Sequence, residues 1–308
     1  MKISVVVPLY NESQSVKVLH QRLMEVLESI GDKFELIFVD DGSKDNTFKV
    51  IKTLPRVRAI RLRRNFGQTA ALATGIEVAK GDIIVTIDGD LENDPRDIPK
   101  LLNKMSEGYD VVSGWRRGRW QDKPLSRRLP SFLANSLISW VTGTKLHDHG
   151  CTLKAYRKGV FSGFSLSGEM HRMIAAYAAK EGALVAEVEV SFKKRLYGKS
   201  KYGISRTLRV LLDILAFHFK YKYGTRPMHF FGVVGFWMFM LSGMVLGWML
   251  FLKIFKDTSF VQTPLPVLAV FFAIMGVLLI LIGLLAEMIY RLLRNKDTNL
   301  IGEEITND

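Results

Sequence analysis

At 308 residues with a formal net charge of +13, the chain has room for one catalytic-sized domain and an appendage. So basic a balance admits nucleic acid, anionic lipid or an anionic substrate as partner, and only the placement of the charge decides among them. The single cysteine, Cys151, excludes an intramolecular disulfide and fits a reducing compartment.

The opening MKISVVVPLYNES lacks the apolar region and small-residue cleavage site of a secretory signal, so residues 1–226 are expected to stay where they are made. Over the first hundred residues, β-branched runs alternate with helical patterns. ISVVVPLY precedes a helix over 13–30, FELIFVDDGS one over 45–54, VRAIRL one over 67–79, and DIIVTIDGD one over 95–107. Runs that are apolar throughout suit strands covered on both faces, so the expected fold is α/β, a mainly parallel sheet with flanking helices. In such sheets ligands bind beyond the carboxyl ends of the strands. Asn11 and Glu12, Asp40 and Asp41, Arg63 to Asn65, and Asp88 and Asp90 all fall there.

Ser113 to Arg128 is rich in Trp and Arg without periodicity and reads as a functional loop leading into a helix from about Leu129. HDHGCTLKAYRK and ALVAEVEVSF read as further strands. From Lys193 to Arg226 the chain carries ten Lys or Arg against one acid, Asp213. Within that stretch Leu208, Leu211, Leu212, Leu215 and Phe219 keep helical spacing while Arg206, Arg209, Asp213 and Lys220 fall elsewhere, the pattern of an amphipathic helix at headgroup level. Two nearly charge-free segments, 227–252 and 258–286, each exceed the ~20 apolar residues that span a bilayer core. Arg226 precedes them and Arg291, Arg294 and Lys296 follow, whereas the connecting loop holds only Lys253, Lys256 and Asp257, so both ends are expected in the cytoplasm. The expected division is a catalytic domain over 1–192, a basic juxtamembrane segment over 193–226, a two-helix membrane hairpin over 227–293 and a polar tail over 294–308. With its basic residues gathered beside the spans, the chain is not expected to bind nucleic acid.

Asp88 and Asp90, one residue apart at a strand end, suit a hard cation that prefers oxygen ligands and keeps substrate phosphates in its remaining positions, with Glu92 as a third ligand. At Asp40-Asp41-Gly42-Ser43 one carboxylate can accept from a base or ribose while its neighbour caps the turn. Six basic residues against one acid between Arg116 and Arg128 form a cluster suited to a phosphate, or to lipid headgroups. His147, His149 and Cys151 alternate at the start of a predicted strand, but no second ligand pair follows, and packing is the expected role.

VVVPLYNE, VDDGS, RNFGQTAALATG and DGDLENDP, in this order and spacing, resemble the GT-A (Rossmann-like) family 2 glycosyltransferases across the soluble part of the chain. PLSRRLPS and RLYGKSKYG, followed by two spans, are similar to the polyprenyl-phosphate branch, which includes dolichyl-phosphate mannose synthases and bacterial undecaprenyl-phosphate glycosyltransferases. The resemblance implies that Pro8, Tyr10, Glu12 and Asp40 line a nucleoside site and that Asp88, Asp90 and Glu92 surround Mg or Mn. Glu92 departs from the family, which often has Gln there. It further implies that Arg195, Lys199, Ser200 and Lys201 close over the donor diphosphate, and that Arg116, Arg127 and Ser131 hold the acceptor phosphate. Glu169, His171 and Arg172 match a GEMHR stretch of the same branch and receive no role. The implied reaction is a single displacement with inversion, from a UDP- or GDP-sugar to polyprenyl phosphate, at the cytoplasmic membrane face. Relatives with two spans make a homo-oligomer reasonable. The alternatives are a processive polysaccharide synthase, whose QxxRW motif and additional spans are missing here, and a non-catalytic membrane scaffold that keeps the fold.

Overall fold

The protein is described from a computed structural model, which describes residues 2–294 except 32, 121–134, 164–165, 167–169, 194–203, 258 and 261–262. It divides into two compact units, Met1–Leu215 and Ala216–Asp308.

The first unit is built on a seven-stranded sheet. In chain order its strands are β1 (Lys2–Leu9), β2 (Lys33–Asp40), β3 (Val57–Arg61), β4 (Ile83–Thr86), β5 (Val111–Trp115), β6 (Lys154–Arg157) and β7 (Val185–Glu189), and their spatial order is β3-β2-β1-β4-β6-β5-β7. All pairings are parallel except those of β6, which runs antiparallel to both β4 and β5. The helices include α1 (Val16–Ile30), α2 (Thr47–Ile51), α3 (Gln68–Val78), α4 (Ile98–Ser106), a helix containing residues 135–142 (α5) and α6 (Ile174–Lys180).

Strand periodicity sorts the core. Ile3, Val5, Val7 and Leu9 point to one face and pack with Leu19, Leu23 and Leu27 of α1 and Ile98 and Leu101 of α4. Val6 points to the other and packs with Ile37, Val39 and Ile84 against Ala71, Leu72 and Ile76 of α3. Both faces are therefore covered, which is why the strands read as unbroken apolar runs.

Three boundaries differ from expectation. Ser113 to Trp115 belong to β5 rather than to a loop, and a 3-10 turn over Arg117–Trp120 follows. Of the strand predicted in HDHGCTLKAYRK only Lys154–Arg157 forms, because the amides of His147 and Asp148 donate to the Glu187 carboxylate instead of to a neighbouring strand. His147, His149 and Cys151 therefore do not alternate along a strand face. The second apolar segment becomes helical at Leu265, not at 258, with Pro266 in its first turn where a missing amide hydrogen costs nothing.

Helix α7 (Ile204–Tyr223) contains the basic amphipathic stretch. Leu212 and Leu215 of its predicted apolar stripe are more than half exposed, whereas Ile214 and Phe217 on another side are buried. The second unit is dominated by α8 (Pro227–Lys256) and α9 (Leu265–Arg294), two helices long and apolar enough to cross a membrane. They run antiparallel and very close: a Cβ on Gly235 would lie 2.9 Å from the Gly276 carbonyl oxygen, and the Ser242 hydroxyl donates to the Ala269 carbonyl at 2.8 Å.

Candidate active site

The carboxyl ends of β1, β2 and β4 carry one connected set of loops. After β1, Asn11 adopts a left-handed backbone (φ 54°), its amide donates to the Ser43 hydroxyl at 2.9 Å and its side-chain oxygen accepts from the Lys44 amide at 2.8 Å. The Glu12 amide donates to the Thr47 hydroxyl, locking the first loop to the second. Gly42 is required there: its φ is +64° and a Cβ would meet the Arg64 backbone at 2.4 Å.

The two aspartates of the second loop have different duties. Asp41 accepts from the Phe66 amide at 2.7 Å and the Gly67 amide at 2.9 Å, so both oxygens clamp the loop after β3, while burial and the adjacent Asp40 push its carboxyl upward. Asp40 is fully buried; its Oδ1 accepts from the Ser43 amide. Its Oδ2 lies 3.2 Å from Arg61 Nε as an ion pair yet accepts no hydrogen bond. A buried carboxylate oxygen with its hydrogen-bonding capacity unused at a sheet edge is suited to a hydroxyl or N–H donor of a ligand.

Beyond β4, Asp88 accepts from the Gln68 amide nitrogen at 2.6 Å and from the Thr152 hydroxyl. Burial, then the charges of Asp90 and Glu92, push its carboxyl up to about 7 despite Arg116 nearby. The Asp90 carboxylate accepts the Glu92 amide at 3.0 Å across a turn in which Leu91 is left-handed (φ 62°). Among the described residues no three Asp, Glu, His or Cys side chains converge as a ready cation cage. The acid pair nevertheless fits a divalent cation that brings substrate oxygens and water as its other ligands, since mutual repulsion between Asp88 and Asp90 is what such an ion would relieve.

Arg116 directly follows β5, and it is buried. Its guanidinium grips Asp148 at two points, Nε to Oδ2 at 2.7 Å and Nη2 to Oδ1 at 3.0 Å. Burial opposes its charge, but Asp148, with smaller contributions from Cys151 and Glu92, more than compensates, and the same contact holds the Asp148 carboxyl low against its own burial. Lys154 is fully buried, donates to the His149 carbonyl at 3.0 Å and is pulled down to about 8 by desolvation. His149, buried beside it, is pulled down to about 3 and meets the Ser139 hydroxyl at 3.0 Å. Cys151 is buried, its thiol pushed up to about 11, in keeping with a packing role.

A strap closes the near side. The Lys193 amide donates to the Glu92 carbonyl at 2.9 Å, and its ammonium pairs with Asp94, which also holds Arg96. The Ser191 amide donates to Asp97 at 2.7 Å. His171 meets the Thr69 hydroxyl at 2.7 Å and so ties the Met170–Arg172 turn to the start of α3.

The structure thus brings Asp40, Asp88, Asp90 and Glu92 to one edge, with Pro8 buried on β1 in register with Val39, Tyr10 and Glu12 just after that strand, and Asp41 beneath as a clamp. Arg116 is on the same side of the sheet, engaged by Asp148. Arg127, Ser131, Arg195, Lys199, Ser200, Lys201 and Glu169 lie outside the described residues. Sequence reasoning missed Gln68, Asp148, Thr152 and Lys154. Their signal was faint: Gln68, Asp148 and Thr152 act through contacts 20 or more residues away, Lys154 through a backbone carbonyl, and none repeats with a period.

The glycosyl transferase family 2 model matches residues 4–164. The chain is 41% identical to the dodecaprenyl-phosphate galacturonate synthase of Rhizobium johnstonii, covering 100% of this chain and 94% of that protein. It is 34% identical to the undecaprenyl-phosphate 4-deoxy-4-formamido-L-arabinose transferase of Shewanella sediminis, covering 94% and 87%. Among solved structures it resembles glucosyl-3-phosphoglycerate synthase of Mycobacterium tuberculosis in complex with Mn2+ and UDP-glucose, with TM-score 0.55 and 19% identity over 70% of this chain and 78% of that one. It also resembles mannosyl-3-phosphoglycerate synthase of Rubrobacter xylanophilus, with TM-score 0.59 and 16% identity over 72% and 75%. These structural likenesses carry the GT-A fold.

Proposed function

This chain belongs to glycosyl transferase family 2 and, within it, to the polyprenyl-phosphate glycosyltransferases, and on that premise we propose that it moves a sugar from a nucleotide donor to a polyprenyl phosphate at the cytoplasmic membrane face. The observation that carries the reading is the crowded Asp88–Asp90 pair, set at the same sheet edge as Asp40, whose buried Oδ2 accepts no hydrogen bond.

In this reading a phosphate oxygen of the acceptor attacks the anomeric carbon, the bond from that carbon to the diphosphate breaks, and the nucleoside diphosphate leaves with the electron pair. Attack from the opposite face inverts the centre. A phosphate monoester is largely ionised near neutrality, so its oxygen needs no strong general base, and the work of the site is to position two anions and stabilise the leaving diphosphate. Asp40 accepts from the nucleoside through its unused oxygen, with Pro8, Tyr10 and Glu12 forming the wall beside it. Asp41 keeps the loop after β3 in place. Asp88 and Asp90, with Glu92 at the rim, hold a divalent cation, Mg or Mn, that supplies charge neutralisation at the diphosphate when bound. Arg195, Lys199, Ser200 and Lys201 follow the Lys193 anchor and bind the same diphosphate. Arg127 and Ser131 take the acceptor phosphate; Arg116, expected beside them, is buried against Asp148 and positions the end of β5.

Purified protein incubated with undecaprenyl phosphate and a panel of UDP- and GDP-sugars, uronic acids and aminopentoses included, should yield a lipid-linked sugar detectable by mass. Asp90→Ala should lower that yield by about 10² to 10³-fold. No product with any donor would sink the reading, and undiminished activity in Asp90→Ala would sink the metal role.

A further inference from the structure

Where α8 begins and α9 ends, the hairpin forms an open polar groove of about 430 Å³, lined by Thr225, Arg226, His229, Glu287, Tyr290 and Arg291. From these side chains we propose a second anion site, in the membrane unit itself, that binds the phosphate of a lipid headgroup. The phosphatidylglycerol arm of its test does not depend on the proposed reaction; the undecaprenyl phosphate arm rests on it.

The depth is right for a headgroup. Each helix has 30 residues, a length of ~45 Å against a hydrocarbon core of ~30 Å, so the terminal turns project into the polar interface. Arg226 caps α8 and Arg291 lies in the last turn of α9, so two solvent-accessible guanidinium groups from opposite helices line one groove. Arg291 is partly spoken for, since its Nη2 contacts Glu287 Oε1 at 2.8 Å. Among the described residues no ion pair engages Arg226. The lining therefore keeps one net positive charge, an uncommitted arginine fork, and hydroxyls from Thr225 and Tyr290 that can donate to phosphate oxygens. A merely basic flank would satisfy the positive-inside pattern with exposed lysines; a concave lining of arginines and hydroxyls between two helices is the form in which a headgroup phosphate is bound.

The test is lipid binding to the full-length protein in mild detergent, followed by native mass spectrometry. Phosphatidylglycerol, undecaprenyl phosphate and diacylglycerol, which lacks phosphate, would be titrated separately. One phosphatidylglycerol should stay bound while diacylglycerol does not. Arg226→Gln should weaken phosphatidylglycerol by about tenfold, the loss of one charge-assisted contact. Glu287→Gln frees Arg291 and should tighten it severalfold, a gain that a misfolded variant cannot produce. Undecaprenyl phosphate would bind here in addition to the transfer site, so Arg226→Gln should lower its count from two to one. Loss with both lipids supports a headgroup site; loss with undecaprenyl phosphate alone would overturn it and assign the groove to the acceptor. Equal affinity for both phosphate lipids in wild type and Arg226→Gln would overturn the proposal, as would equal retention of diacylglycerol or displacement of the lipid by equimolar inorganic phosphate.

Discussion

The cluster behind the acid pair is where single side chains have the largest predicted consequences. Arg116 and Asp148 are both buried and meet at two points, so Asp148→Asn would leave an uncompensated guanidinium. The expected cost is ~3–5 kcal/mol, seen as a lowered melting temperature in detergent. Arg56→Gln, which breaks an exposed pair with Glu28, should change it by no more than ~1 kcal/mol. Two neighbouring groups titrate with opposite sign. His149 is pulled from its ordinary 6.5 to about 3 by burial and Lys154, so it contributes stability fully above pH 6.5 and loses it as pH falls toward 3, because the unfolded chain takes the proton first. Asp88 is raised from 3.8 to about 7, so in the metal-free protein its contribution is full below pH 3.8 and lost as pH climbs through 7. The wild-type melting curve mixes these slopes. His149→Gln should flatten the acid side, and Asp88→Asn should remove the decline toward neutrality. The same proton opposes the cation: apparent Mn2+ affinity, measured by calorimetry, should rise about tenfold per pH unit below 7 and level off above it. A flat profile from pH 5 to 8 would detach Asp88 from metal binding.

At the level of elements, close packing in the hairpin makes a sharp contrast between glycines of one helix. Gly235 faces the Gly276 backbone at a distance that admits no Cβ without movement, whereas a Cβ on Gly243 would meet nothing within 4 Å. Gly235→Leu should therefore destabilise the hairpin by ~1–3 kcal/mol and Gly243→Leu should be nearly silent, as read by thermal melting. A loss in both would point to a general intolerance of bulk and not to this contact. Burial explains why some elements were legible in the sequence and others were not. β1, β2 and β4 are apolar on both faces, and that leaves a continuous signature which places the acids at their ends. The edge strand β7 is half-buried from Val185 to Val188 and exposed at Glu189, which leaves a weaker pattern. The segment before β6 looked like strand because it is rich in His, Cys and Thr, yet Glu187, forty residues away, takes its amides. Asp148 was illegible for the same reason: nothing local reveals that its partner is Arg116. The acid pair could be read because the strand that ends in it is strongly patterned, but that Asp41 clamps a loop while Asp40 Oδ2 accepts no hydrogen bond is decided by backbone amides no sequence displays.

For the molecule as a whole, the decisive question is which side of the membrane the sheet occupies. α8 and α9 are antiparallel neighbours, since Gly235 meets Gly276 while Ser242 meets Ala269, so the chain before Pro227 and the chain after Arg294 emerge on one side and the 257–264 turn on the other. Arg226, Arg291, Arg294 and Lys296 flank the first side and only Lys253, Lys256 and Asp257 the second, so the proposed topology has the catalytic unit in the cytoplasm, with the nucleotide sugars it is proposed to use. Cys151 makes this directly measurable, because the one native thiol is buried and its pKa is raised to about 11, so it stays silent to a maleimide at neutral pH. In intact cells a membrane-impermeant maleimide should label Asp257→Cys, and should reach Asn307→Cys only after the membrane is opened. The reverse pattern would strand the acid pair on the far side from any cytoplasmic donor, and the transfer reaction would have to be abandoned along with the topology.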